Sequence, residues 1–102
     1  MKEDFKKIIN NYGVMPQLKY FQSEVFEFNE AIVRYEEYMK RAELPISEVE
    51  KRRKHIAEEI ADVLVMLLQF KEYYGISDFW VERIMKEKIE RQLGRIENEN
   101  SK

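Results

Sequence analysis

From Val63 to Leu68 the chain reads VLVMLL, without a polar residue. Inside the longer stretch His55–Phe70, a helix through this run is covered on every side. That places it at the centre of a core or of an interface. Directly before the run stand Glu59 and Asp62, one helical turn apart. Carboxylates beside a buried segment are costly unless they are paired or hold a metal. The same spacing recurs beside an apolar stripe in SEVFEFNEA, as Glu24 and Glu27. The chain reads as a scaffold that brings these two pairs together.

The remaining pattern is helical. Phe5, Ile8 and Ile9 recur at helical spacing before Gly13, which suits a helix stop. Pro16 suits the first turn of a second helix running to about Arg41. On that helix Leu18, Phe21, Val25, Phe28, Ile32 and Tyr35 form one stripe, expected to face the core. AELPIS is the clearest break, and Ser47 followed by Glu50 predicts a capping box at the start of a third helix. Its stripe is Ile56, Ile60, Val63, Leu67, Phe70 and Tyr74, ended by Gly75. Ser77 or Asp78 caps a fourth helix, expected from about Phe79 to Glu97, with a fraying end. No alternating run marks a strand. One short and three long helices predict a single all-α, four-helix bundle-like domain over residues 1–102.

Composition narrows the function. Charged residues make up 37% of the chain but nearly balance, to a net charge of −2. A general nucleic-acid binder is usually strongly basic. There is no cysteine, so disulfides and thiolate metal sites are excluded. MKEDFKKIIN lacks the apolar core of a signal peptide, and the longest apolar run is far below the roughly 18 residues of a membrane span. The expectation is a soluble, cytoplasmic protein with no nucleic-acid or membrane partner.

Acids at i and i+3 share one side of a helix, with Cβ atoms roughly 5–6 Å apart. Such pairs are common in a chain with 20 acids, and Glu27/Glu30 and Glu87/Glu90 repeat the spacing. Angular position separates the two chosen pairs from a solvated face. Glu24 and Glu59 each lie roughly 60°, and Glu27 and Asp62 roughly 120°, from the centre of their helix's stripe, on the same side. In an antiparallel hairpin the four carboxylates converge, and they cannot all stay ionised without a cation. Oxygen ligands suit Mg²⁺, Mn²⁺ or Ca²⁺ rather than Zn²⁺. A di-iron bundle site needs Glu-x-x-His on two helices, and this chain has a single His.

Glu24-Val-Phe-Glu27 followed by Glu59-Ile-Ala-Asp62 resembles the E-x-x-E…E-x-x-D signature of the all-α nucleoside triphosphate pyrophosphohydrolases. These include MazG proteins, dimeric dUTPases and phosphoribosyl-ATP pyrophosphatases. Gln17-Leu18, Ala31-Ile32, Asp62-Val-Leu and the ending Lys88-Ile-Glu-Arg-Gln-Leu-Gly-Arg95-Ile96 are also similar to MazG-like proteins. The likeness spans roughly residues 13 to 97. Ser23 stands where many members have a second Glu, and Phe28 replaces the usual Leu. The 31 residues between Glu27 and Glu59 are at the long end for the family. The resemblance implies Mg²⁺, with Mn²⁺ as a substitute, held by Glu24, Glu27, Glu59 and Asp62. It implies hydrolysis of a nucleoside triphosphate to a nucleoside monophosphate and pyrophosphate, with Glu27 as the candidate general base. Phosphoribosyl-ATP is the alternative substrate. A non-catalytic helical interaction module is the alternative outside enzymes.

On the fourth helix, the face bearing Trp80, Val81 and Ile84 continues as Lys88, Arg91 and Arg95. These cations fit a triphosphate clamp, or else simply complement the helix C-terminus. His55 shares the flank of Glu59, and a lone His is usually structural or surface-exposed. Phe26, pointing away from its stripe, marks a second apolar surface with Leu64 and Leu68. That surface predicts a homodimer or homotetramer.

Overall fold

The computed structural model describes residues 1–41 and 43–101. It is all-helical: α1 spans Lys2–Tyr12, α2 Val14–Tyr38, α3 Ile46–Tyr73 and α4 Asp78–Asn100. No strand occurs among the described residues. One short and three long helices therefore form where the apolar spacing placed them.

The helix ends follow local chemistry. Gly13 adopts φ 95° between α1 and α2, a value that disfavours side chains, so the chain reverses there without a longer loop. At the end of α3, Gly75 has φ 64°. Its N–H donates to the Glu72 carbonyl at 3.2 Å, and Ile76 N–H donates to the Lys71 carbonyl at 3.0 Å. Those paired bonds satisfy the last free carbonyls of the helix. Ser77 caps α4 by accepting from Trp80 N–H at 3.1 Å. The capping box expected at Ser47 and Glu50 does not form. Pro45 is the N-cap and α3 starts two residues earlier, at Ile46, with no side-chain cap. The Pro45 carbonyl receives Glu48 and Val49 N–H instead, and Ser47 falls inside the first turn. At the other ends, α2 stops at Tyr38, short of Arg41, and α4 continues past Glu97 to Asn100.

Helices α2 and α3 pack as an antiparallel hairpin, and α1 lies against both. The buried line on α2 is Gln17, Glu24, Ala31 and Tyr38, spaced seven residues apart. On α3 the buried residues are Glu59, Met66 and Gln69. Gln17 Nε2 donates to Gln69 Oε1 at 2.8 Å across the seam. At the opposite end the Arg52 guanidinium lies 4.2 Å over the Tyr38 ring. Phe21 and Phe70 meet edge to face, 6.0 Å apart.

The core face is thus rotated from the one the apolar stripes predict. Leu18, Ile60, Leu67 and Tyr74 are 40%, 43%, 47% and 61% exposed. The physical reason is what covers the hairpin. Helix α1 sits on the side carrying Tyr20, Asp62 and Val65, and Ile9 is completely buried there. The opposite side, with Ile60, Leu64 and Leu67, has no cover among the described residues. Among the described residues, the buried apolar ones are only Ile9, Ala31, Tyr38 and Met66.

Helix α4 also departs from the expected bundle. Among the described residues it packs against none of the other helices. It is tied only at its start, where Asp78 pairs with Lys71 at 2.7 Å and with Lys2 at 2.9 Å. Lys71 also contacts Glu72 and donates to the Ile76 carbonyl at 3.2 Å. Lys71, with Lys2, holds the Asp78 carboxyl well below its ordinary 3.8, at about 2. A depressed carboxyl adds stability above its unfolded pKa and loses it as pH falls through the folded one. Asp78→Asn should therefore lower the melting temperature at pH 7, with the difference closing between pH 4 and about 2. An undiminished difference at pH 2 would remove this ion pair from the account of the elbow.

Candidate metal centre and adjoining cleft

Glu24 and Glu27 project from α2 and Glu59 from α3. One carboxylate oxygen of each lies within 4.8 Å of the others. Glu24 and Glu59 are buried, at 5% and 8% exposure, and Glu27 is exposed. The reason is the seven-residue seam, which places Glu24 and Glu59 on the contact line itself rather than on its flank. Glu24 Oε2 and Glu59 Oε2 are fully buried and have no hydrogen-bond partner. Buried acceptors are nearly always satisfied, so two orphans side by side require an explanation. Burial, and behind it the neighbouring Asp62, Glu27 and Glu59 carboxylates, pushes the Glu24 carboxyl above its usual 4.5, against the Tyr20 hydroxyl, which favours its charged form. The Tyr20 phenol is raised in turn, first by the neighbouring Glu24 carboxylate.

Asp62, the fourth acid expected at the site, is exposed and lies beside Glu24 rather than inside the tight group. His55 stands over the opening, with Nε2 3.8 Å from Glu59 and Nδ1 4.0 Å from Glu58. Lys88, Arg91 and Arg95 are exposed on α4, which touches neither acid-bearing helix. Within one chain these cations are not gathered at the acids.

The arrangement fits a hard divalent cation. Its donors are carboxylate oxygens alone, matching Mg²⁺ or Mn²⁺ rather than a soft metal. Glu24 and Glu59 each keep one buried oxygen without a hydrogen-bond partner.

A cleft of about 580 Å³ adjoins this cluster. Its walls include Ile8 and Tyr12 of α1, Tyr20 and Glu24 of α2, and Asp62 and Gln69 of α3. The buried Gln17–Gln69 amide pair forms part of the lining. Gln69 Nε2 finds only the Met66 sulfur, at 3.5 Å, a weak acceptor. The cleft therefore offers amide donors and acceptors between aromatic and aliphatic walls, opening onto acids. The sequence reading did not identify Tyr12, Gln17 or Gln69 as site residues. Gln17 at the head of the seven-residue line was the available signal, since a glutamine on a buried line needs a polar partner.

No helix among the described residues is long and apolar enough to cross a membrane. No family model, curated protein or solved structure matches the chain.

Proposed function

We propose that the protein is a divalent-metal-dependent nucleotide pyrophosphohydrolase, converting a nucleoside triphosphate to the monophosphate and pyrophosphate. The observation that carries this reading is the Glu24–Glu27–Glu59 group, with two buried, unpartnered oxygens, at the edge of an amide-lined cleft. Glu24, Glu27 and Glu59 would hold Mg²⁺, with Asp62 beside them. When bound, such an ion neutralises phosphate charge and makes a coordinated water more acidic.

The chain's own residues account for the remaining roles. The cleft takes the nucleoside end. Tyr12 and Tyr20 offer ring faces for a base, and the Gln17 and Gln69 amides offer donors and acceptors to its edge. The triphosphate then extends toward the acids. Glu27, exposed beside two buried ligands, is placed to take the proton of a water attacking the α-phosphorus. The bond from that phosphorus to the bridging oxygen breaks, and pyrophosphate leaves with the electron pair.

Two measurements test the proposal. Millimolar Mg²⁺ or Mn²⁺ should raise the melting temperature of the metal-free protein by mass action, and Asp62→Asn should weaken that response while keeping the helical signal. Incubation with the common NTPs and dNTPs plus Mg²⁺ should release pyrophosphate. No metal shift, and no product from any of them or from phosphoribosyl-ATP, would overturn it. The second reading, a non-catalytic interaction module, draws on the bare apolar stripe of α4 and predicts that double silence.

A further inference from the structure

With the nucleoside in the cleft and the α-phosphorus at the acids, two terminal phosphates still extend beyond them. The cations of α4 are not gathered there, since that helix touches neither acid-bearing helix. Other side chains are. The cleft follows one flank of the α2–α3 seam. On α3, at 100° per residue, its lining residues Asp62 and Gln69 lie roughly 60° and 80° from Glu59, to one side. His55 and Lys51 fall on that same flank, roughly 40° and 80° from Glu59. On α2, Tyr20 of the cleft wall lies roughly 40° from Glu24, and Glu27 and Arg34 lie roughly 60° and 80° from it, again to the cleft side.

The α3 lining of the cleft ends at Asp62, so His55 and Lys51 continue the flank beyond the acids, and both are exposed. Arg34 belongs to the same end. The Arg52 guanidinium lies 4.2 Å over the Tyr38 ring. One turn back along α2 and one turn forward along α3 therefore bring Arg34 about level with His55. Each group is available. His55 has only the Glu59 and Glu58 carboxylates nearby, 3.8 Å from Nε2 and 4.0 Å from Nδ1. Arg34 pairs with Glu30 at 3.4 Å, both side chains being largely in solvent, and such pairs contribute little. Lys51 is in no ion pair among the described residues, whereas its neighbour Arg52 is held by Glu48 at 3.1 Å.

We propose that Arg34, Lys51 and His55 form a subsite for the β- and γ-phosphates of the substrate, and so for the pyrophosphate product. The assignment rests on the hydrolytic reading for its place along the substrate. One groove then holds the whole molecule: the base at Gln17 and Gln69, the α-phosphate at the acids, the terminal phosphates at the cations. An Arg fork and a Lys ammonium suit phosphate oxygens, and a His55 ring N–H adds a donor. As the bond from the α-phosphorus to the bridging oxygen breaks, its electron pair stays on pyrophosphate. The subsite stabilises the charge that develops there.

The two products separate this subsite from the rest of the groove. Pyrophosphate and the nucleoside monophosphate are each measured as inhibitors of NTP hydrolysis in Mg²⁺, for Arg34→Met, Lys51→Met and His55→Ala. All three side chains are exposed, so the variants should fold. Each should weaken pyrophosphate inhibition about tenfold or more, with monophosphate inhibition and the Mg²⁺-induced melting shift unchanged. Pyrophosphate inhibition that survives in all three variants, or an equal weakening for both products, overturns the subsite while hydrolysis stands. If no NTP is cleaved, calorimetric titration with pyrophosphate and Mg²⁺ decides. Binding to the unmodified chain that Arg34→Met and Lys51→Met lose supports the subsite without the reaction. Binding that both variants retain overturns the subsite, and no binding at all overturns it together with the hydrolytic reading.

Discussion

Glu24→Gln and Glu59→Gln should each make the metal-free protein more stable and nearly inactive. A buried, unsatisfied acceptor costs about 1–3 kcal/mol, and more when charged. Glutamine keeps the shape, removes the charge and can donate to the remaining orphan oxygen across the seam. For a domain near this size each 1 kcal/mol moves the melting temperature by about 4–8 °C. On the proposed function the same change also removes a metal ligand. If the ion supplies several kcal/mol of charge stabilisation, pyrophosphate release should fall on the order of 100-fold or more. Acidity adds a further signature. Because the Glu24 carboxyl is raised in the folded protein, its contribution is complete below about 4.5, the unfolded value. It is lost as pH rises through the folded one. Melting in chelator should thus show stability declining with pH for the unmodified chain and a flatter profile for Glu24→Gln. Variants less stable than the unmodified protein in chelator would mean that the acids are satisfied in some other way.

Ile9→Ala should be the most damaging single change to the fold. Ile9 is the one buried residue of α1 and is 0% exposed. Truncating a buried Ile typically costs about 2–5 kcal/mol, or roughly 10 °C or more at this size. The functional consequence follows from position. An eleven-residue helix does not persist by itself in water, and α1 supplies Ile8 and Tyr12 to the cleft. Loosening α1 removes that wall while leaving the acids on α2 and α3. At a temperature where the variant remains folded, KM should rise severalfold with kcat much less affected. An equal loss in both would show that α1 acts on the acids rather than on the nucleoside end.

Much of this was legible in the sequence for identifiable reasons. Gly13, Gly75 and Ser77 mark helix ends because their roles depend on φ or on one hydroxyl, both local properties. The pairing of Glu24 and Glu27 with Glu59 was legible because the acids repeat at one angular offset on two helices. The burial of Glu24 and Glu59 was not, since periodicity locates an apolar stripe without saying which edge of it meets the neighbour. Here the stripe divides between the seam and the open side, and Gln17, Glu24 and Tyr38 take the contact line. The direction of α4 was equally hidden. It depends on Lys71 reaching Asp78 and Ile76, contacts that no helical spacing encodes. The cleft joins residues from three helices, and only the packing of α1 reveals it.

The seven-residue spacing on α2 has a consequence for alignment. A hairpin whose contact line repeats every heptad fits its partner geometrically at more than one register. Sliding α2 by seven residues would superpose Glu24 on the place of Gln17, and Ala31 on that of Glu24. Uniformly apolar layers would tolerate the slip with little loss. These layers differ: an amide pair at Gln17–Gln69, an acid pair at Glu24–Glu59 and a cation–ring contact at Tyr38–Arg52. A slipped hairpin would set Glu24 against the Gln69 amide and leave Glu59 facing a methyl group. Buried polar residues lower stability but penalise every wrong alignment, as a single polar position does in coiled coils. The residues proposed to bind are thus also those that set α2 and α3 in one alignment.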